Sequence, residues 1–195
     1  MKRILTIAFT VAWIFSGSVP IGLLMAKHLV PIPPGAAMPA TDTKGHWTVV
    51  HFLVQVCACS DMLSKRLLTE EVAEGIEQRL ILIGEVDGDL GGWTKSGFEL
   101  EVVSAAQARE IYGIRGGPRL VIFDPAGQVA YSGGYNMRLP AVEREFLHPE
   151  IIEMTMKGEL EKAYPVYGCM SDPELTTRLR PFRSRRAGHP QGNSD

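Results

Sequence analysis

The stretch Trp47-Thr-Val-Val-His-Phe-Leu-Val-Gln-Val-Cys-Ala-Cys-Ser60 constrains the fold more than any other. Val49 to Val56 is a run of β-branched and apolar residues. It is long enough for a buried strand and too short for an ordinary helix. It runs into two cysteines, Cys57 and Cys59, and Asp61 to Leu68 then has helix-forming composition, with apolar Met62, Leu63, Leu67 and Leu68. The cysteines therefore stand where a strand hands over to a helix. Backbone N–H groups at a helix start are unpaired and carry partial positive charge, which stabilises a thiolate placed there. A fall in pKa from about 8.5 to about 7 would raise the thiolate fraction at neutral pH from a few per cent to about half. Cys57 is thus the candidate nucleophile, and a buried structural cysteine is the alternative reading.

Beyond this stretch, Leu67–Arg79 has helical composition, and Leu80-Ile-Leu-Ile-Gly-Glu-Val86 is a second buried-strand candidate. Strand, helix, strand is the opening of an α/β unit. Asp87 to Gly97, rich in glycine and aspartate, reads as a loop, and Phe98–Val103 as a short extended piece. Ser104–Tyr112 reads as a short helix with Ser104 as N-cap and Gly113 just past its end. Leu120–Phe123 and Val129–Tyr131 flank Asp124-Pro-Ala-Gly127, the signature of a β-hairpin with a type I turn. Leu139–Phe146 and Pro149–Tyr164 read as helices, with Pro149 suited to a first helical position. The second of these would turn Ile151, Ile152, Met154 or Thr155, and Leu160 inward.

Two motifs carry a resemblance. "VVHFLVQVCACS" resembles the active-site strand and turn of thioredoxin-like proteins, "VxFWAxWCGPC". Cys57 falls on the attacking cysteine, Phe52 on the strand phenylalanine and His51 on the position of the family's buried acid. Ser60 falls where the resolving cysteine should be, so the motif is C-x-C-S. Tyr112-Gly-Ile-Arg-Gly-Gly-Pro118 resembles the family's "YGIRGIP" segment. The resemblance implies a thioredoxin-like fold, a central mixed sheet flanked by helices, over roughly Trp47 to Tyr135 and a following helix. It implies a cis peptide at Gly117–Pro118 lying against Cys57, and substrate pairing beside the Gly117 backbone. The spacing from Cys57 to Pro118 is longer than in minimal thioredoxins and places an insertion around Gly88–Val103. Exported, membrane-tethered proteins of the TlpA and ResA kind carry such an insertion. The C-x-C-S turn, the N-terminal anchor and the later Gly168-Cys169 also resemble the bacterial RedB-like group.

The chain of 195 residues reads as one main domain with appendages. Lys2 and Arg3 precede Ile4–Ala26, which holds no charge and is long enough to span a bilayer. A cleaved signal peptide competes with an uncleaved anchor, and the length of the run favours the anchor. Either reading exports the remainder. The expected organisation is an anchor at 1–27, a proline-rich spacer at 28–45, a thioredoxin-like domain at 46–170 and a basic tail at 171–195. Prolines 31, 33, 34 and 39 make the spacer extended. The expected location is the inner membrane, held through residues 4–26, with the domain on the periplasmic or extracytoplasmic side. A net charge of −2 carries no polyanion signature, so nucleic acid is not an expected partner.

The expected function is thiol–disulfide exchange with protein thiols and disulfides. A membrane electron-donor protein is a further candidate partner, and no cofactor is expected. Catalysis is assigned to Cys57, Cys59 and Pro118, supported by Ser60, His51 and Gly117. Which thiol resolves Cys57 stays open. A disulfide to Cys59 spans one residue and is geometrically tight, whereas Cys169 is far away in sequence and needs its segment to fold back. His51 could shuttle protons, with a pKa near neutrality, or serve only in packing. Cu(I) delivery through Cys57 and Cys59 is the alternative function, although no histidine stands at an obvious ligand spacing. A non-catalytic binding module is a third.

Overall fold

The computed structural model describes residues 45–55, 57–70, 74–85, 91–138 and 146–171, with positions 6, 9, 10, 12–14, 16, 18, 32 and 43. Most of the expected anchor and spacer, the expected helix over 139–145 and the tail beyond Ser171 lie outside these residues. Among the described residues no helix is long and apolar enough to cross a membrane.

The apolar run forms β1 (Trp47–Val54), the middle of a five-stranded sheet. All its residues after Trp47 are buried, which is why it reads as an unbroken apolar run rather than an alternating one. Val49 and Leu53 face one core cluster, while Val50, Phe52 and Val54 face the other. Beside β1 lies β2 (Ile76–Ile83), parallel to it, and beyond that β3 (Glu99–Val103), parallel again. On the other side β1 pairs antiparallel with β5 (Arg119–Phe123), and β5 with β6 (Val129–Gly133). The sheet order is β3-β2-β1-β5-β6. A separate ribbon joins β4 (Gly116–Gly117) to β7 (Cys169–Met170).

Helices cover both faces. α1 (Ala58–Leu67) contributes Leu63 and Leu67 to the first cluster, where they meet Ile151 and Ile152 of α4 (His148–Lys157). α3 (Ala105–Tyr112) contributes Ala108 to the second. The Ser104 hydroxyl accepts from the Gln107 N–H, and the Gln107 side chain accepts from the Ser104 N–H, so the expected N-cap is a full capping box. Gly113, with φ of 65°, ends α3 as expected.

Several element boundaries differ from the expectation. The helix expected over Leu67–Arg79 stops at Leu67, and Ile76–Arg79 form the first half of β2. Pairing of Ile76–Arg79 with Trp47–Val50 overrides the local helical preference of the glutamates. The expected loop before Phe98 contains a short helix, α2 (Gly91–Lys95). α4 ends at Lys157 rather than Tyr164, because Gly158 adopts φ of 69° and caps it. Thr155 takes the inward position of α4 and gives its hydroxyl to the Ile151 carbonyl. Within the stretch read as a spacer, Ile32 is buried and bridges Val166, and buried Thr43 donates to the Pro125 carbonyl. A tether standing clear of the domain does not describe these two positions.

Ile122 lies in the middle of β5 and is fully buried between the strands. Ile122→Ala should destabilise the protein by about 2–5 kcal/mol in urea unfolding. Val129→Ala, on the exposed start of β6, should change stability by about 0.5 kcal/mol or less. Equal effects would contradict this placement of the core.

Candidate active site

Cys57 is the N-cap of α1, with extended backbone (φ −106°, ψ 120°). Its carbonyl accepts the first helical hydrogen bond, from Asp61 N–H at 3.0 Å. The N–H groups of Cys59 and Ser60 face its sulfur, as the strand-to-helix position requires. The Ser60 hydroxyl does not turn to the sulfur. It accepts from the Val54 N–H at 3.0 Å and ties the end of β1 to the start of α1.

The peptide Gly117–Pro118 is cis, as the resemblance implied. Cys57 Sγ lies 3.7 Å from the Gly117 carbonyl oxygen. Gly117 backs directly onto β1, since a Cβ there would stand 2.8 Å from the Phe52 carbonyl oxygen. On its other side Gly117 pairs with Cys169. Cys57, Cys59 and Cys169 therefore meet at one place, and none of the three is in a disulfide. The β4–β7 ribbon is the fold-back that a part for Cys169 required, although its strand pairing was not legible in the sequence.

Electrostatics separates the three. The Cys57 thiol is held far below its ordinary range, first by hydrogen bonds from the Cys169 and Cys59 thiols and then by the Ser60 and Cys59 amides, while burial opposes them. Cys59 is pushed well up by its hydrogen bond to Cys57, by burial and by the Cys57 charge. Of the two, Cys57 is the thiol that ionises more readily, and Cys59 is the one that donates to it.

His51 is fully buried on β1 and its ring meets Phe98, Tyr135 and His148 rather than the cysteines. Its Nδ1 is 2.8 Å from the Tyr135 hydroxyl and its Nε2 is 3.3 Å from Gln78 Oε1. The consistent arrangement has Nε2–H donating to Gln78 and the Tyr135 O–H donating to Nδ1. Burial, assisted by His148, pushes the pKa of His51 down to about 3. It is neutral at physiological pH and does not titrate near neutrality as the sequence suggested. His148 Nε2 meets Glu70 Oε2 at 2.5 Å, and both border a cavity of about 250 Å³ with Gln78 and Phe98. No local pattern joins Glu70, Gln78, Tyr135 and His148, so sequence reasoning missed this cluster.

No protein-family model matches the chain, and no curated protein does. Among solved structures, it is similar to an uncharacterized conserved protein from Geobacillus kaustophilus, at 17% identity and a TM-score of 0.54 over 72% of this chain and 93% of that one. It is also similar to a hypothetical protein from Sinorhizobium meliloti, at 14% identity and a TM-score of 0.54 over 73% and 95% of the two chains. A thioredoxin domain of a thiol-disulfide oxidoreductase from Bacteroides vulgatus aligns with a TM-score of 0.39 and 17% identity, over 64% of this chain and 99% of that one. The first two likenesses show a shared fold, and the sheet order with the cis Gly117–Pro118 peptide beside Cys57 is the arrangement that the sequence resemblance implied.

Two pH dependences follow. The unfolded chain takes up a proton on His51 near pH 6.5 that the folded chain refuses until about pH 3. Its stability contribution is full above pH 6.5 and is lost as the pH falls towards 3, at about 1.4 kcal/mol per pH unit. Urea titrations from pH 7 to 4 should show this slope, and His51→Gln should make it shallower; an unchanged slope would refute the assignment. For Cys57, the depressed pKa keeps the thiolate present as the pH falls. Its alkylation by iodoacetamide, followed by peptide mass spectrometry, should persist well below pH 7. A rate falling tenfold per unit below about pH 8 would mean an ordinary thiol.

Proposed function

We propose that this chain is a membrane-tethered thiol–disulfide oxidoreductase of the extracytoplasmic side, working through a variant C-x-C-S site. The observation that carries the reading is the placement of Cys57. Its sulfur faces the first amides of α1 and stands beside the Gly117 carbonyl in a thioredoxin-like fold. Such a thiolate is stabilised by fixed dipoles and is set up for attack on sulfur. The tether rests on the uncharged Ile4–Ala26 run after Lys2 and Arg3. The insertion bearing α2 and β3, with the C-x-C-S turn, favours kinship with TlpA/ResA-like and RedB-like exported proteins.

In the exchange, the Cys57 thiolate attacks one sulfur of a substrate disulfide. The S–S bond breaks, a mixed disulfide with Cys57 forms, and the departing substrate thiolate takes a proton. A second protein thiol then attacks Cys57 Sγ. The second substrate thiol leaves, and the protein keeps a disulfide. Two electrons have passed from the protein dithiol to the substrate, and an external dithiol restores the site. The same steps in reverse oxidise a substrate dithiol. The substrates are protein disulfides or dithiols, and a membrane protein bearing a dithiol is the fitting electron donor.

Cu(I) delivery is the alternative that Cys57 and Cys59 raise. Both ring nitrogens of the strand histidine, His51, are already engaged by Tyr135 and Gln78, so no specific observation favours it. The test is exchange with a disulfide-bonded peptide by the full chain in detergent. Cys57→Ala should lower the rate by about a thousandfold or more. Exchange at the parental rate would remove Cys57 from the chemistry. A parent chain with no exchange at all would leave a binding module or a copper protein.

A further inference from the structure

The proposed chemistry requires Cys57 to meet a foreign sulfur, yet Cys57 is 1% exposed. Something must move, and the backbone identifies it. Residues 164 to 171 are laid across the site and held at four points. The Gly134 N–H donates to the Tyr164 carbonyl at 2.9 Å, and the Ile32 N–H to the Val166 carbonyl at 2.8 Å. Cys169 and Met170 then pair with Gly117 and Gly116, and the Ser171 N–H donates to the Arg115 carbonyl at 3.0 Å. The contact is closest where side chains are missing. A Cβ on Gly168 would lie 1.9 Å from the Gly117 carbonyl oxygen, and one on Gly116 would lie 2.6 Å from the Cys169 carbonyl oxygen. The register sets Cys169 opposite Gly117, whose carbonyl touches Cys57. Cys169 and Cys59 both pack against the buried cluster that holds Cys57.

We propose that the segment Tyr164–Ser171 is an internal pseudosubstrate strand: it occupies the β4 edge that an extended disulfide-bearing peptide would take, and it presents Cys169 as the thiol that closes onto Cys57. This rests on the thiol-exchange reading and adds to it the resolving thiol and a gate. When the strand lifts away, Gly116 and Gly117 expose backbone N–H and C=O groups with no side chain in the way. An incoming extended peptide pairs with them and brings its sulfur to the place that Cys169 left. Cys57 attacks, the peptide's S–S bond breaks, and one peptide thiol is released with a proton. On return of the strand, the Cys169 thiolate attacks Cys57 Sγ of the mixed disulfide. The Cys57–peptide bond breaks, the second peptide thiol leaves protonated, and a Cys57–Cys169 disulfide remains. That bond latches the strand over β4 until an external dithiol reduces it. Cys59, two residues from Cys57, meets the tight geometry of a C-x-C bridge, whereas Cys169 arrives on a separate strand without that constraint.

The test equilibrates the full chain in detergent with mixtures of reduced and oxidised glutathione. Free thiols are then trapped by alkylation and the disulfides mapped by peptide mass spectrometry. The expected internal bond is Cys57–Cys169. It should survive Cys59→Ser, and Cys169→Ser should leave Cys57 joined to glutathione instead. A Cys57–Cys59 bond, or glutathionylated Cys57 with no internal bond in the parent chain, would overturn the proposal while leaving thiol exchange intact. A Cys57 that never enters a disulfide would overturn both. The gate is read separately with Gly168→Ala, which wedges the strand off Gly117. Alkylation of reduced Cys57 by a bulky maleimide should accelerate by about tenfold or more, with the thermal unfolding transition still cooperative. An unchanged rate in that folded variant would overturn the gating strand, and if the variant does not fold, the same comparison is made with Ser171→Pro, which removes the N–H donated to the Arg115 carbonyl without adding bulk at Gly117.

Discussion

The pairing of Phe52 with Arg119 is the constraint on which the site depends. β1 and β5 run antiparallel, so the residues just before Arg119 must lie beside those just after Phe52. That places Gly117 and Pro118 against the exit of β1, where Cys57 begins α1. No attraction between the cysteine and the proline segment is needed to bring them together. The fully buried residues Phe52, Leu120 and Ile122 hold the register, because a slip of one residue would exchange the side chains that fill the two cores. The reactive geometry is thus a by-product of core packing, which allows the turn itself to vary to C-x-C-S without loss of the fold.

What the sequence made legible followed from local physics. The unbroken apolar run of β1, the Ser104 N-cap, the Asp124–Gly127 turn and the Gly113 stop each have a local cause, and each stands where it was expected. The misjudged boundaries have distant causes. Ile76–Arg79 became strand because Trp47–Val50 offered a partner 29 positions earlier in the register. Thr155 rather than Met154 turned inward through the rotation of α4 on the sheet. The same division holds at the site. Cys57 and Pro118 were legible from motif and position, and Cys169 was open as a partner, but the strand that delivers it was not legible, because a two-residue strand such as β7 leaves no periodic trace.

His51 shows how a family position can keep its place and change its chemistry. It stands on β1 where the resemblance set a buried acid, yet its nitrogens are committed to Tyr135 and Gln78. A neutral imidazole buried this deeply avoids the desolvation cost that a carboxylate would carry there. Its ring lies edge-on to His148, which in turn leans on Glu70 at the end of α1. The polar network therefore ties β1 to α1 and α4 on the face away from the thiols. It fixes the direction of α1, and through α1 the direction in which the Cys59 and Ser60 amides point.

The thiols share one charge among three sulfurs. Cys57 is the N-cap of α1 and gains from the Ser60 and Cys59 amides, whereas for Cys59 a backbone amide is outweighed by the Cys57 hydrogen bond and by burial. Once it is ionised, Cys59 is held as a thiol, and the S–H groups of Cys59 and Cys169 are its donors. A second thiolate beside the first would be repelled, so a resolving thiol can ionise only after Cys57 has given up its charge in a mixed disulfide. The order of events is therefore built into the cluster. Attack by Cys57 must come first, and that attack itself lifts the electrostatic restraint on the thiol that follows.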